Sequence, residues 1–128
     1  MNNSLKGKRI LVVEDQDTNW FLIRDILENY EAETIWAEVG QQAIDLINSG
    51  QSFDLILMDI NLPFMDGYET IRQIKKINPE IPIIAQTAFA IAEEIKLCYQ
   101  VGCSAHVCKP FTVFELTSCI AGTLNITL

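Results

Sequence analysis

Five short apolar runs recur along the chain, at Ile10–Val13, Thr34–Ala37, Leu55–Met58, Ile81–Ala85 and Ala105–Cys108. Three hold unbroken stretches: Ile-Leu-Val-Val at 10–13, Leu-Ile-Leu-Met at 55–58 and Ile-Ile-Ala at 83–85. A strand with one wetted face alternates apolar and polar residues, whereas an unbroken run marks a strand covered on both faces, as in a parallel sheet. The segments between keep a helical period. Asn19, Leu22, Ile23, Ile26, Leu27 and Tyr30 form one stripe of a 3.6-residue repeat, with Asp17 or Thr18 as its expected cap. A second helix is predicted over about 41–48 and closes at Ser49-Gly50. A third, about 68–77, stops ahead of Pro79 because the residue before proline avoids helical angles. A fourth covers about 91–101 and ends at Gly102; the fifth carries Val113, Leu116, Thr117, Ile120, Ala121 and Leu124 on one stripe.

Strict alternation of strand and helix, five times over, predicts a three-layer α/β fold with right-handed crossovers. The chain of 128 residues suits one domain spanning 1–128, with residues 1–8 as a polar lead-in segment. An open, doubly wound, five-stranded parallel sheet with five helices fits that length, and an eight-stranded barrel does not. The flavodoxin-like strand order 2-1-3-4-5 is the natural choice, although periodicity alone leaves strand order open.

Composition narrows the function. Hydrophobic residues are 49% and charged residues 20%, the balance of a globular chain. The net charge of -8 argues against nucleic acid, because a phosphate-backbone binder clusters Lys and Arg on one face. The polar N-terminus leads straight into a strand pattern with no apolar signal core. The longest charge-free apolar region, Ile81 to Ala92, falls short of the ~20 residues of a membrane span and is interrupted by Pro82, Gln86 and Thr87. A cytoplasmic protein without membrane insertion is expected. Cys98, Cys103, Cys108 and Cys119 form no C-x-x-C pair. If 104–108 is a strand, His106 and Cys108 share a face that Cys103 precedes, so the three do not converge on a metal. Buried, reduced thiols are the expected state.

The candidate chemistry lies where each apolar run turns polar. Strand one ends in Glu14-Asp15, strand three in Asp59, strand four in Gln86-Thr87 and strand five in Lys109. In an open parallel sheet these positions share one edge, where such folds place their sites. With order 2-1-3-4-5, the acids of strands one and three lie about 4.8 Å apart. Lys109 then has to cross roughly two strand spacings to join them, a gap its stem can largely cover. Three crowded carboxylates repel unless a cation intervenes. A hard divalent ion with an ammonium group fits best, since Mg²⁺ takes oxygen ligands and commonly uses one or two carboxylates plus a phosphate. Such a site can accept a phosphoryl group on a carboxylate, because phosphoryl transfer asks mainly for positioning and charge neutralisation. Thr87 adds a hydroxyl that can donate to a phosphate oxygen.

Each piece also has a plainer reading. Glu14-Asp15-Gln16-Asp17 reads equally well as a solvated turn favouring a helix N-terminus. Asp59 reads as a loop acid before Pro63, Lys109-Pro110 as a turn, and Thr87 as a helix cap. Their placement together, each directly after its own strand, weighs for one site.

The segments ILVVEDQDTN, LILMDINLPFMDGYE, IIAQTAFA and AHVCKPF, at these separations, resemble the receiver domain of two-component response regulators. The resemblance runs from Arg9 to about Leu124 and is nearest to receivers attached to hybrid sensor histidine kinases. It implies a CheY-like fold with Asp59 as phosphoacceptor. It implies Glu14, Asp15, Asp59 and the backbone carbonyl of Asn61 as ligands of Mg²⁺ (or Mn²⁺), and Lys109 as the partner of the phosphoryl oxygens, with a cis bond before Pro110. Thr87 matches the switch hydroxyl, and Asn61 and Phe89 match the positions that tune self-dephosphorylation. The family usually has Tyr or Phe where His106 stands. A strand histidine hydrogen-bonded at the surface and a pH-sensitive switch are both readings of that change. Implied partners are a histidine kinase or histidine phosphotransfer domain and a downstream output protein. Trp20, at the margin of the first helix's stripe, and Phe21, opposite it, are candidates for docking the kinase; Phe114 is one for the output face.

The function implied is a signalling module that takes a phosphoryl group and changes partner affinity, with self-phosphorylation and slow autodephosphorylation but no turnover of a separate substrate. Nothing after the fifth helix reads as an output domain, so a stand-alone receiver or a piece of a hybrid kinase is expected. A haloacid-dehalogenase-type phosphatase would need a second Asp where Asn61 stands. A flavodoxin-type carrier would need a hydroxyl- and Gly-rich loop where Glu14-Asp15 stands. A receiver-like interaction module that is never phosphorylated is the remaining alternative.

Overall fold

The computed structural model describes residues 4–89 and 91–128, so residues 1–3 of the lead-in segment lie outside the described residues. Ten elements alternate: β1 (Arg9–Val13), α1 (Asp17–Asn29), β2 (Glu33–Ala37), α2 (Gly40–Asn48), β3 (Leu55–Asp59), α3 (Gly67–Ile77), β4 (Ile83–Thr87), α4 (Ala92–Val101), β5 (Ala105–Cys108) and α5 (Val113–Leu124). All strand pairs are parallel, in the order β2-β1-β3-β4-β5. The unbroken apolar runs form the three central strands, and β3 and β4 are buried at every residue.

Side-chain alternation along the strands divides the core into two layers. Leu11, Val13, Ile56, Met58, Ile83 and Ala85 pack towards α2, α3 and α4. Ile10, Val12, Leu55, Leu57, Ile84 and Val107 pack towards α1 and α5. Fully burying such an aliphatic side chain contributes about 1.5–3 kcal/mol, and both layers draw on every central strand. The sheet edge carrying the carboxyl ends of the strands is therefore mounted on two cores.

Three details differ from the sequence reading. The buried stripe of α1 is Trp20, Ile23, Ile26 and Leu27, while Leu22 is half exposed. The Trp20 indole lies flat against Trp36 of β2, with ring centroids 5.1 Å apart and planes 11° from parallel. The largest aromatic surface on the helix thus turns to the sheet, which rotates α1 away from the Asn19–Leu22 face. The helix also starts earlier than expected. Its N-cap is Gln16, without a side-chain cap bond, so neither Asp17 nor Thr18 caps it. Finally, β4 runs from Ile83 to Thr87, placing Gln86 and Thr87 inside the strand rather than after it.

Candidate functional site

The β3–α3 connection builds one wall of the strand-end edge. Asp66 caps α3, its carboxylate accepting from the Glu69 N–H at 2.9 Å. Gly67 then brings the first turn of α3 against the backbone of β3, its N–H donating to the Ile60 carbonyl at 3.0 Å. A Cβ at Gly67 would stand 2.6 Å from Ile60 Cα and closer still to the Asp59 carbonyl oxygen. Glycine is required there because the helix must approach the strand bearing Asp59 this closely.

Glu14, Asp15 and Asp59 bring carboxylate oxygens within 4.8 Å of one another. Glu14 and Asp59 are buried, and Asp15 is half-buried. Lys109 arrives from beyond the end of β5. Its ammonium donates to Asp59 Oδ2 at 2.9 Å and to Glu14 Oε1 at 3.0 Å. The backbone N–H of Lys109 donates to the Thr87 carbonyl at 2.7 Å, and the Lys109–Pro110 peptide is cis. The Asn61 N–H donates to Asp59 Oδ1 at 2.9 Å, and the Gln16 N–H to Glu14 Oε2 at 3.2 Å.

One ammonium cannot balance three carboxylates. Burial, and then the charge of Asp59, push the Glu14 carboxyl up to about 7, although the bond and charge of Lys109 oppose the rise. Burial pulls the Lys109 ammonium down, but the bonds and charges of Asp59 and Glu14 outweigh it and hold the group above the ordinary lysine range. The cluster is thus short of positive charge. Hard oxygen donors at this spacing suit a divalent ion such as Mg²⁺, with Glu14, Asp15, Asp59 and the Asn61 carbonyl as the residues that would hold it.

Thr87 is buried, and its Oγ1 lies 3.4 Å from Cys108 Sγ rather than on the carboxylates. His106 is half-buried on β5, and its Nδ1 lies 2.9 Å from the Tyr99 hydroxyl of α4. Phe21, Phe89 and Phe114 are exposed. Trp20 is not, at 8% exposure, so the expected partner-docking role of Trp20 is withdrawn: its ring is committed to the stack on Trp36. All four cysteines are free. Cys98 and Cys103 are buried as expected, whereas Cys108 and Cys119 are only half-buried. Burial pushes the Cys103 thiol up to about 12, which suits an inert core thiol.

Three contributors escaped the sequence reading. Trp36 donates its indole N–H to the Glu14 carbonyl at 2.7 Å, so the residue behind the acidic turn is an aromatic of the neighbouring strand. A half-buried tryptophan needs such a partner, but nothing local says which. Tyr99 was not expected beside His106. Gln86 reads in the sequence as a polar strand end, yet it is fully buried.

Among the described residues, no helix is long and apolar enough to cross a membrane. The family model "Response regulator receiver domain" matches residues 10–121. The polar-differentiation response regulator DivK of Brucella anthropi is 40% identical over 108 residues, covering 83% of this chain and 87% of that protein. Histidine kinase 3 of Arabidopsis thaliana is 30% identical over 91% of this chain, which spans only 13% of that protein's length. Among solved structures, the receiver domain of a sensor histidine kinase of Pseudomonas aeruginosa PAO1, with a magnesium ion coordinated in its active-site cleft, superposes with a TM-score of 0.85. The two are 33% identical, with 93% of this chain and 98% of that one covered. A CheY-like receiver domain protein of Methanospirillum hungatei JF-1 gives a TM-score of 0.86 at 30% identity, with 92% of this chain and 94% of that one covered.

Proposed function

The chain belongs to the response regulator receiver domain family of two-component signalling, a family of signalling modules rather than classical enzymes, and from that premise we propose that Asp59 is its phosphoacceptor. A carboxylate oxygen of Asp59 attacks the phosphorus of a phosphohistidine on a histidine kinase or phosphotransfer protein. The P–N bond breaks, the electron pair stays on the imidazole nitrogen, and an acyl phosphate forms on Asp59. Water later attacks that phosphorus, releasing inorganic phosphate and restoring the carboxylate. Lys109 holds the transferring oxygens by charge and hydrogen bonds. A bound Mg²⁺ (or Mn²⁺) supplies further neutralisation of the phosphoryl charge.

The observation that carries this reading is the Lys109 bridge. Its ammonium spans Asp59 and Glu14 at 2.9 and 3.0 Å inside a cluster of three carboxylates. A site short of positive charge is suited to an ion and then to an anionic phosphoryl group. The sequence with Thr87, Lys109 and both members of the acidic pair present also favours phosphorylation over a purely passive interaction module.

The phosphoryl group brings about −1.5 to −2 charges to this edge. Thr87 is the group that reports it: its hydroxyl leaves Cys108 for a phosphoryl oxygen, and the β4–β5 edge bearing His106 follows. The output is changed affinity for a downstream partner, in the cytoplasm, without nucleic-acid contact by this chain. Phe21, beside the acidic turn, offers itself to the phosphodonor, and Phe114 to the output partner. Incubation with Mg²⁺ and acetyl phosphate followed by intact mass tests the reading. One phosphoryl group is expected on the wild type and none on Asp59→Asn; a wild-type mass that never rises overturns it.

A further inference from the structure

Gln86 is fully buried in β4, yet neither its Oε1 nor its Nε2 has a hydrogen-bond partner among the described residues. Only its backbone is engaged there, the carbonyl accepting from the Ile60 N–H at 3.0 Å. A buried amide left without partners is costly, and an apolar residue of similar length would fill the same space without that cost. A native strand that keeps such a group calls for an explanation.

Its neighbours supply one. Gln86 pairs in register with Asp59 of β3 and with Val107 of β5. Register partners in parallel strands send their side chains to the same face. Lys109 stands two residues beyond Val107 and so leaves the sheet on that face as well. To reach Asp59 from β5, the Lys109 stem has to pass over β4, which lies between. The unpartnered amide therefore belongs to the same sheet face as the Lys109–Asp59 bridge, on the strand that the bridge crosses. The ammonium has three donors, and its bonds go to Glu14 and Asp59. Glu14 is also one of the carboxylates that a divalent ion would draw away.

We propose that Gln86 is a positioning residue for Lys109: its Oε1 accepts the ammonium hydrogen released when Glu14 turns to a divalent ion, and so keeps Lys109 aimed at the phosphoryl group on Asp59. This rests on Asp59 being the phosphoacceptor. Gln86 touches neither the phosphorus nor the ion. It acts through the lysine, whose ammonium is held on the two carboxylates, beyond hydrogen-bond reach of the amide.

The test is Gln86→Met, which keeps chain length and removes the amide, with Gln86→Leu as a second variant should the first fold poorly. Three quantities are read: the thermal midpoint of unliganded protein, the Mg²⁺ dissociation constant from tryptophan fluorescence, and the dissociation constant of beryllofluoride, a phosphoryl mimic, at saturating Mg²⁺. The expected result is a midpoint equal to or above wild type, Mg²⁺ affinity within about twofold, and beryllofluoride affinity about tenfold weaker, the worth of one hydrogen bond to a charged group. Unchanged beryllofluoride affinity overturns the inference, and so does a joint loss of midpoint and Mg²⁺ affinity, which would mark Gln86 as purely structural. Failure of wild-type protein to take beryllofluoride sinks instead the phosphoacceptor reading beneath it.

Discussion

Lys109 meets Asp59 at 2.9 Å by crossing a whole strand, since the lysine follows β5, the aspartate ends β3, and β4 runs between them. The same ammonium holds Glu14 at 3.0 Å. One ammonium bonded to two of three clustered carboxylates leaves this site short of positive charge within a stable scaffold. Fold stability and site chemistry therefore pull in opposite directions here, and the difference can be measured.

Replacing Asp59 by Asn removes one buried charge while leaving Lys109 paired with Glu14. The Glu14 carboxyl should fall back towards its ordinary range, because the charge of Asp59 is one of the causes of its rise. At pH 8 without Mg²⁺ the variant is expected to be more stable than wild type by about 1 kcal/mol in urea unfolding. A loss of stability would show that the Lys109–Asp59 attraction outweighs the repulsion.

Glu14 gives the pH dependence a definite sign. Its carboxyl sits at about 7 in the folded protein against an ordinary value of 4.5. The folded state holds this proton more tightly than the unfolded chain. The resulting stabilisation is complete below pH 4.5 and is lost as pH rises through about 7. The loss amounts to roughly 3 kcal/mol between those limits. Mg²⁺ favours the ionised carboxylate, so it should raise the thermal midpoint more at pH 8 than at pH 5.5. Glu14→Gln should flatten both trends; an unchanged pH profile in that variant would refute the assignment.

Trp36→Phe keeps an aromatic face for Trp20 but leaves the Glu14 carbonyl without the indole donor now 2.7 Å away. The expected cost is about 1 kcal/mol in stability. If the bond also fixes the acidic turn, Mg²⁺ affinity falls several-fold, read by Trp20 fluorescence. Wild-type affinity would mean that the Glu14 N–H bond to the Ala37 carbonyl, at 3.0 Å, holds the turn without help.

Two glycine substitutions should behave oppositely. Gly67→Ala forces a methyl group against the Asp59 carbonyl and Ile60 Cα, and should cost about 2 kcal/mol or more and displace the site. Gly122, in α5, has nothing within 4 Å of an added Cβ, so Gly122→Ala should stabilise by about 0.5–1 kcal/mol. Paired thermal unfolding and acetyl phosphate labelling check both.

His106→Tyr removes the imidazole that meets the Tyr99 hydroxyl at 2.9 Å, on the opposite sheet face from Asp59. Partner binding should change while the rate of phosphorylation by acetyl phosphate stays within about twofold of wild type. A fall in that rate would join His106 to the chemistry of the site.

The apolar runs and their alternation with helical stripes determined the three-layer fold by themselves, because period and run length are local properties of the chain. The polar residue at each strand end was legible for the same reason. Parallel strands put their carboxyl ends on one edge, so Glu14, Asp15, Asp59, Thr87 and Lys109 had to share it. Which side chains meet across neighbouring strands was decided only in three dimensions. Leu22 and Trp20 exchanged places on α1 because Trp36, sixteen positions beyond Trp20, offers an indole to stack on. Gln86 reads as a strand end in the sequence, and only its register with Asp59 puts the two side chains on one sheet face, the amide without a hydrogen-bond partner among the described residues. Periodicity says which residues turn inwards, whereas what they meet there depends on segments far away in the chain.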